Sequence, residues 1–321
     1  MKYSPVALFV FNRIDNTRQT IENLLANTLA PQTDLYVFSD GGRDEASWAQ
    51  VNALRNMLHT IQEDVMTSGQ LHSMSIIERS TNIYLERNIT EGVAEILEKH
   101  ETIIVLEDDI CTSPYFLLFM NEALATYAKV SKVFHISGFT HLDILNDHPE
   151  WLEPNNETYF THHMSGWGWA TWRDRWQGHF RHYVNREEAL RGLTEDDINQ
   201  LQYNGAFPCL HHLDQSPIPW DICWEIAIHR AGGLCLSPAH TLVRNIGLHT
   251  GTHFRAWRIF QSYPYDREPL YRPCLISRID TPNPDARIEA AFAEAIRDWG
   301  IKYTPLGKVV RWIYRKVKRA D

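Results

Sequence analysis

The chain has few cysteines, no long apolar run and no standard phosphate-binding fingerprint. Its five cysteines are scattered over 321 residues without a C-x-x-C pair, so we expect reduced thiols and no disulfide framework, as in a cytosolic protein. The apolar run at 115–120 is far shorter than the roughly 20 residues that cross a bilayer. The chain also begins without the pattern of a signal peptide. We therefore expect a cytoplasmic protein.

Charge and motif content argue against three further classes of protein. The net charge is −9, which gives no overall electrostatic reason to expect a nucleic-acid partner. Neither G-x-G-x-x-G nor G-x-x-x-x-G-K-[ST] occurs, so the dinucleotide and P-loop fingerprints are both missing. The remaining composition, 44% hydrophobic and 22% charged, is typical of a globular protein.

The strongest chemical signal is an apolar run, 103–106, that leads directly into Glu107, Asp108 and Asp109. The run is rich in β-branched residues and predicts a strand buried on both faces. Open α/β sheets bind ligands at the carboxyl ends of their strands. Three adjacent carboxylates repel one another unless a cation lies among them, and Mg²⁺ or Mn²⁺ with substrate phosphates would suit. The alternative is a solvated acidic turn.

Residues 1 to about 138 alternate strand and helix, which is typical of a parallel, doubly wound sheet. Polar residues follow three of the predicted strands: Asn12-Arg13, Ser39-Asp40 and the acidic triplet 107–109. Because the carboxyl ends of parallel strands meet at one edge, we expect a nucleotide site there. Strands are predicted at 6–11, 34–38, 74–77, 103–106 and 133–137, and helices at 46–66, 88–99 and 114–128, with a further helix that Asp15 can cap.

The second half is less periodic but rich in aromatic residues. The stretch Gly166-Trp167-Gly168-Trp169-Ala170-Thr171-Trp172 combines flat rings with glycine, which weakens a strand unless something approaches closely. It suits either a sugar or base site, or a tryptophan-rich corner of the core. Helices are predicted at 187–203 and 220–229, a strand at 234–238 and a glycine-containing polar loop at 244–255.

Taken in order, these motifs resemble those of GT-A glycosyltransferases, and more narrowly the inverting N-acetylglucosaminyltransferase I type and related bacterial sugar transferases. The resemblance runs from about Pro5 to about Gln261. Its parts are Phe11-Asn12-Arg13, Ser39-Asp40-Gly41-Gly42, Glu107-Asp108-Asp109, Gly166-Trp167-Gly168-Trp169, Trp220-Asp221, Leu236-Ser237-Pro238 and Gly251-Thr252-His253. It implies an α/β, GT-A (Rossmann-like) fold with a mostly parallel central sheet flanked by helices.

The same resemblance implies a division of the chain and a set of donor-binding residues. Residues 1–138 would bind the nucleotide sugar, 139–300 would bind the acceptor and carry out catalysis, and 301–321 would form a basic amphipathic tail. Asp109 would be the direct ligand of Mn²⁺ or Mg²⁺, with His253 approaching the metal. The nucleotide sugar would contact Arg13, Asp40, Glu107, Asp108, Trp167, Gly168 and Thr252. Plainer alternatives are a surface charge for Arg13, a turn residue for Asp40 and a solvated His253.

Asp221 is our candidate general base, because an inverting transfer needs a carboxylate to take the proton of the acceptor hydroxyl. Glu225, one helical turn further on, is the second candidate. Ile222 stands where the animal enzyme's pattern has a second acid. Alternatively, Asp221 only caps its helix.

The implied function is metal-dependent, inverting transfer of a sugar from a nucleotide sugar, by resemblance a UDP-sugar, to a glycan or lipid-linked saccharide acceptor in bacterial surface polysaccharide synthesis. Residues 305–319 interleave basic with apolar and aromatic residues, which predicts peripheral contact with an anionic membrane on its inner face, or else a solvated terminal helix. A sugar-1-phosphate nucleotidyltransferase is disfavoured because 11–15 contains no glycine-rich basic loop. A catalytically inactive glycan-binding GT-A domain is the third possibility.

Overall fold

The computed structural model of the chain describes residues 3–207, 209–249 and 267–301. Ten strands lie in these ranges: β1 (Val6–Val10), β2 (Asp34–Ser39), β3 (Ser73–Glu78), β4 (Thr102–Glu107), β5 (Ile110–Thr112), β6 (Val133–Ser137), β7 (Thr158–Thr161), β8 (Trp169–Trp172), β9 (Leu234–Pro238) and β10 (Val243–Asn245). Eight of them form one sheet in the order β3-β2-β1-β4-β8-β6-β9-β7, and β5 pairs with β10.

Most strands of the large sheet point in one direction. Strands β3, β2, β1 and β4 pair in parallel, and β6 and β9 are parallel to each other. Between them, β8 is antiparallel to both β4 and β6, while β7 is antiparallel to β9 at the edge. The predicted α/β class with a mostly parallel central sheet is confirmed. The sheet takes strands from both sides of residue 138.

Helices cover both faces of the sheet. In the described residues they are α1 (Ile14–Leu25), α2 (Glu45–Ser68), α3 (Tyr84–Leu97), α4 (Phe116–Tyr127), α5 (Ile144–Asp147), α6 (Arg173–His179), α7 (Arg186–Leu190), α8 (Glu195–Leu201), α9 (Cys209–His212), α10 (Trp220–Arg230) and α11 (Ala286–Ile301). None of the helices in this described part is long and apolar enough to cross a membrane.

The structure corrects two local expectations. The single helix predicted at 187–203 is two short helices, α7 and α8, separated at Gly192, whose φ of 80° lies in the left-handed region. Asp15 does not cap α1, because Arg13 holds the N-cap position and no side chain makes a capping hydrogen bond there.

Strand β4 is buried on both faces, as its continuous apolar run predicts. Ile104 and Leu106 join the core on the side of α1, α2 and α4, whereas Ile103 and Val105 join the core on the side of α3, α6 and α10. Successive side chains of a strand point to opposite faces. Glu107 continues the second series, so its carboxyl lies on the face that α10 covers.

The tryptophan cluster divides between core and cavity. Trp169 is fully buried and stacks on Trp220 at a centroid distance of 5.2 Å, and Trp172 is 4% exposed. Of the three tryptophans in this motif, only Trp167 is partly exposed. The core interpretation is therefore correct for β8. The five cysteines are buried free thiols, as expected.

Candidate functional site

Two strand ends bring charged side chains together at one edge of the sheet. The Arg13 guanidinium, just after β1, donates from Nη1 to Asp109 Oδ2 at 2.9 Å and from Nε to Asp108 Oδ2 at 3.2 Å. Its Nη2 also donates to Asp108 Oδ1. Two of the three acids at the end of β4 are thus paired with one cation, which lies 95 and 96 residues away in sequence.

Burial and mutual repulsion shape the ionisation of this acidic group. Desolvation, together with the charges of Asp109 and Asp108, raises the pKa of Glu107 well above its ordinary value. Burial likewise raises the pKa of Asp108, to about 6, although Arg13 opposes the increase. For Arg13 itself burial would lower the pKa, but the two carboxylates outweigh burial and raise it. The edge therefore concentrates negative charge around one guanidinium.

Asp40 lies beside this edge and holds the loop that precedes α3. Its Oδ1 accepts hydrogen bonds from the backbone N–H groups of Gly41 at 2.8 Å and Ile83 at 2.9 Å, and its Oδ2 accepts from Asn82 Nδ2 at 2.9 Å. Buried Arg55 donates to the main-chain oxygen of Asp40 at 3.3 Å. The residue is 4% exposed, so its first role is to fix the turn after β2.

An aromatic patch flanks this turn. Arg43 lies with its guanidinium carbon 4.9 Å from the ring centroid of Phe11 and 5.3 Å from that of Tyr84. Tyr84 has a φ of 65° and is 59% exposed. Flat rings with a guanidinium form a stacking surface for a planar group. No sequence signal identified this patch, because its three residues come from separate elements.

Asp109 is enclosed from the other side by the segment that follows β10. The backbone N–H of Ile246 donates to the Asp109 main-chain oxygen at 2.9 Å. A Cβ added to Gly247 would stand 2.0 Å from Asp109 Oδ2, so only glycine permits this approach. Antiparallel pairing of β5 with β10 brings these residues together. The beginning of the predicted loop 244–255 therefore lies on the candidate metal ligand.

The donor set partly fits a divalent cation. Carboxylate oxygens are preferred ligands of Mg²⁺ and Mn²⁺, and Asp109 Oδ1 has no hydrogen-bond partner among the described residues, whereas Oδ2 accepts from Arg13. In the described part of the chain, no three His, Cys, Asp or Glu side chains form a group that could hold a metal ion. Apart from any ligand outside the described residues, such as the predicted His253, a metal bound to Asp109 would take its other ligands from water and a diphosphate.

Asp221 lines a cavity of about 190 Å³ next to this edge. Its charge contributes to the raised pKa of Glu107, so the two carboxylates lie close enough to interact. Desolvation raises the pKa of Asp221 itself; Glu225 adds to the increase and the Ile222 N–H opposes it. The cavity is lined by Phe139, His141, His163, Met164, Ser165, Gly166, Trp167, Phe207, His212, Asp221, Ile222, Glu225 and Ile296.

The two candidate bases on α10 differ in how many of their carboxylate oxygens already accept hydrogen bonds from the protein. Asp221 Oδ1 accepts from the Ile222 backbone N–H at 2.9 Å, and its second oxygen has no partner among the described residues. Glu225 is 2% exposed; its Oε1 accepts from His163 Nδ1 at 2.8 Å and its Oε2 accepts from the Met164 N–H at 2.9 Å. Asp221 is therefore the carboxylate available to a ligand.

The other predicted ligand residues separate into three groups. Trp167 lines the Asp221 cavity. Gly168 has a φ of 65° and packs against Phe116 and Val243, which gives it a structural reason to be glycine. Thr252, His253 and the tail at 305–319 lie outside the described residues, so their roles stay predictions.

Sequence reasoning missed two polar members of the site. His163 lines the cavity and pairs with Glu225. Glu86, in the first turn of α3, has a pKa raised by burial and by the charge of Asp221. A histidine in an aromatic stretch and a glutamate in an amphipathic helix are both common without a role, so nothing local distinguished them.

Comparison with known proteins finds similarity to solved structures but not to known sequences. No protein-family model and no curated protein sequence matches the chain. A crystal structure of GalNAc-T7 with UDP, GalNAc and Mn²⁺ is similar at a TM-score of 0.43 and 11% sequence identity, over 74% of this chain and 42% of that chain. The chain thus spans less than half of that protein. At this score and identity the similarity supports no conclusion about activity.

Proposed function

We propose that this chain is a GT-A glycosyltransferase that moves a sugar from a nucleotide sugar, a UDP-sugar, to a glycan or lipid-linked saccharide acceptor with inversion at the anomeric carbon. One arrangement carries the proposal: the cluster of Arg13 with Asp108 and Asp109 lies at the carboxyl edge of the sheet, close to a cavity that contains Asp221. Glycosyl transfer needs a charged environment that stabilises the leaving group, which the edge offers. It also needs a neighbouring environment that holds a base beside the neutral acceptor, which the cavity offers.

The edge is suited to the donor. Mn²⁺ or Mg²⁺ held by Asp109 would supply Lewis-acid stabilisation of the departing diphosphate. Arg13 lies within hydrogen-bonding distance of the same carboxylate and is placed to donate to phosphate oxygens, which guanidinium groups bind in a bidentate manner. The patch of Phe11, Arg43 and Tyr84 offers a stacking surface for the base, next to Asp40.

The cavity is suited to the acceptor. Asp221 has one oxygen without a partner among the described residues, and desolvation raises its pKa, so a proton taken from a hydroxyl is held more firmly than on an exposed aspartate. Such general-base assistance typically accelerates a reaction by about 10²–10⁴-fold. Trp167 provides an aromatic wall for a sugar ring. Asp221 would act as the base, with Glu225 supporting the cavity wall.

We further propose that the enzyme acts in bacterial surface polysaccharide synthesis as a cytoplasmic protein, peripheral on the inner face of the membrane. The support is the basic, aromatic composition of residues 305–319. A loop at 244–255 would close over the donor, and the position of Gly247 against Asp109 supports this for its first residues.

A screen of nucleotide sugars with and without Mn²⁺ tests the proposal. We expect one UDP-sugar to raise the melting temperature only with metal, since a ligand that binds the native state alone stabilises it, and to be hydrolysed slowly to UDP. Release of pyrophosphate from a nucleoside triphosphate and a sugar 1-phosphate would instead indicate a nucleotidyltransferase. Binding of saccharides without donor turnover would indicate an inactive glycan-binding domain.

A further inference from the structure

The pair formed by His163 and Glu225 is the most strongly built polar feature of the cavity. The two side chains are 11% and 3% exposed, and His163 Nδ1 lies 2.8 Å from Glu225 Oε1. Glu225 also accepts from the Met164 N–H at 2.9 Å. Two hydrogen bonds to one buried carboxylate therefore fix the backbone and the imidazole of this loop to α10, one helical turn from Asp221.

This pairing sets the chemistry of the imidazole. A carboxylate only accepts hydrogen bonds, so Nδ1 carries the proton, and in the neutral ring Nε2 is then an acceptor. The ring is held against Phe207 at a centroid distance of 4.6 Å and Phe292 at 5.4 Å. The described residues offer Nε2 no hydrogen-bond partner, although His163 lines the cavity. A fixed acceptor without a protein donor is suited to a hydroxyl group.

The described walls of the cavity favour a neutral ligand. Phe139, Trp167 and Phe207 supply aromatic surface, and Asp221 supplies the available carboxylate. No Lys or Arg is among the described residues that line it, and Arg267, beside the wall, donates to the main-chain oxygen of His141. The described lining therefore favours a neutral ligand over a diphosphate. A neutral molecule with an apolar face and several hydroxyl groups, a pyranose ring, matches this lining.

We propose that His163 positions the acceptor saccharide: its Nε2 accepts a hydrogen bond from one hydroxyl of the pyranose, and this contact directs a neighbouring hydroxyl towards Asp221. Glu225 acts through His163 by fixing its tautomer and orientation. The proposal rests on the proposed transferase activity and assigns its acceptor site. Neither residue takes up a proton in the reaction.

Two substitutions of His163 separate the donor at Nδ1 from the acceptor at Nε2. In His163→Asn, the amide nitrogen can replace the Nδ1 donor to Glu225 but leaves no acceptor towards the cavity. In His163→Gln, the longer amide can reach the Nε2 position. The matched control is His240→Gln, because His240 pairs with Asp143 at 2.8 Å with side chains 15% and 16% exposed, and its Nε2 already has a partner, the main-chain oxygen of Glu268.

Transfer to a panel of methyl pyranosides, with donor hydrolysis measured in parallel, tests the proposal. For His163→Asn we expect the acceptor KM to rise about three- to tenfold, as befits one neutral hydrogen bond, with kcat, donor KM, donor hydrolysis and melting temperature near wild type. His163→Gln should recover part of the loss. His240→Gln should leave every kinetic value unchanged, although its lost contacts with Asp143 and Glu268 should lower the melting temperature. An unchanged acceptor KM in His163→Asn, a fall in kcat alone, or a rise in donor KM would each overturn the assignment.

Saturation-transfer NMR with the same methyl pyranosides decides the matter independently of turnover. We expect equal signals in the wild type and in His240→Gln, and in His163→Asn a weaker signal that corresponds to about three- to tenfold lower affinity. If no nucleotide sugar is turned over but this pattern holds, the proposed transferase activity is wrong while the saccharide site stands. If donor is turned over but no pyranoside binding depends on His163, the saccharide-positioning role is wrong.

Discussion

Replacing Asp221 by asparagine should separate catalysis from donor binding. The amide is nearly isosteric with the carboxyl, and its oxygen can still accept from the Ile222 N–H as Asp221 Oδ1 does at 2.9 Å. What is lost is the ability to take a proton at neutral pH. The substitution leaves the cluster of Arg13 and Asp109 unchanged, so the donor and metal should bind with nearly wild-type affinity.

The expected magnitude follows from the role of the residue. General-base catalysis supplies about 10²–10⁴-fold, so kcat should fall on that scale, equivalent to about 2.7–5.4 kcal/mol of transition-state stabilisation. Because desolvation raises the pKa of Asp221, the acidic limb of the wild-type pH–rate profile should lie above the range of an ordinary aspartate. This limb should disappear in the variant.

The same substitution should affect stability in the opposite sense to activity. A carboxyl whose pKa is higher in the folded than in the unfolded state loses folding free energy as pH rises from the unfolded pKa through the folded pKa. Wild-type Asp221, whose pKa is raised, therefore carries a cost at neutral pH that asparagine does not. The variant should melt at a temperature equal to or above that of the wild type at pH 7, and the difference should vanish in acid.

Single-turnover transfer alongside calorimetric donor binding measures these effects. Glu122→Gln is the control, because Glu122 in α4 also has a pKa raised by desolvation but is exposed and is not among the described residues that line the cavity. If Asp221→Asn retains most of its rate while Glu225→Gln loses it, the base is Glu225. If both retain it, α10 holds no catalytic base and the inverting mechanism argued above is wrong.

Three further perturbations address the donor site and the tail. Asp109→Ala should abolish Mn²⁺-dependent donor binding while the fold survives, because lost pairing with Arg13 is offset by relief of repulsion at Glu107; persistence of Mn²⁺-dependent turnover would disprove the metal assignment. Gly247→Ala should weaken donor binding and cost about 1–3 kcal/mol, since its Cβ would meet Asp109 at 2.0 Å. The control Gly178→Ala, in helix α6 with no atom within 4 Å, should leave donor binding unchanged in the same calorimetric assay and should not lower the melting temperature. Deleting 305–321 should weaken the free energy of binding to anionic vesicles by about 1 kcal/mol per basic residue near the surface, which co-sedimentation measures. Transfer to soluble acceptors should stay intact. Co-sedimentation that is insensitive to the deletion would contradict membrane contact.

The sequence alone determined the framework and half of the site. Strand β4 was predictable because a strand buried on both faces must be apolar at every position, and the acids had to lie at its carboxyl end. The same reasoning placed Arg13 and Asp40 at that edge. Helix α10, with Asp221 in its first turn, followed from a local pattern as well. These features depend on residues close together in the chain.

Only the tertiary structure decided how the charges are partnered. Arg13 meets Asp108 across 95 residues, and His163 meets Glu225 across 62; neither pairing leaves a local signal, because each depends on where two separate elements end. The same limit applies to Trp167 and Trp169, which are two residues apart in one aromatic motif. Packing between β4 and β6 buries Trp169, while Trp167, before the strand begins, faces the cavity. Local periodicity specifies elements, whereas the long-range packing of those elements specifies which side chains a ligand can reach.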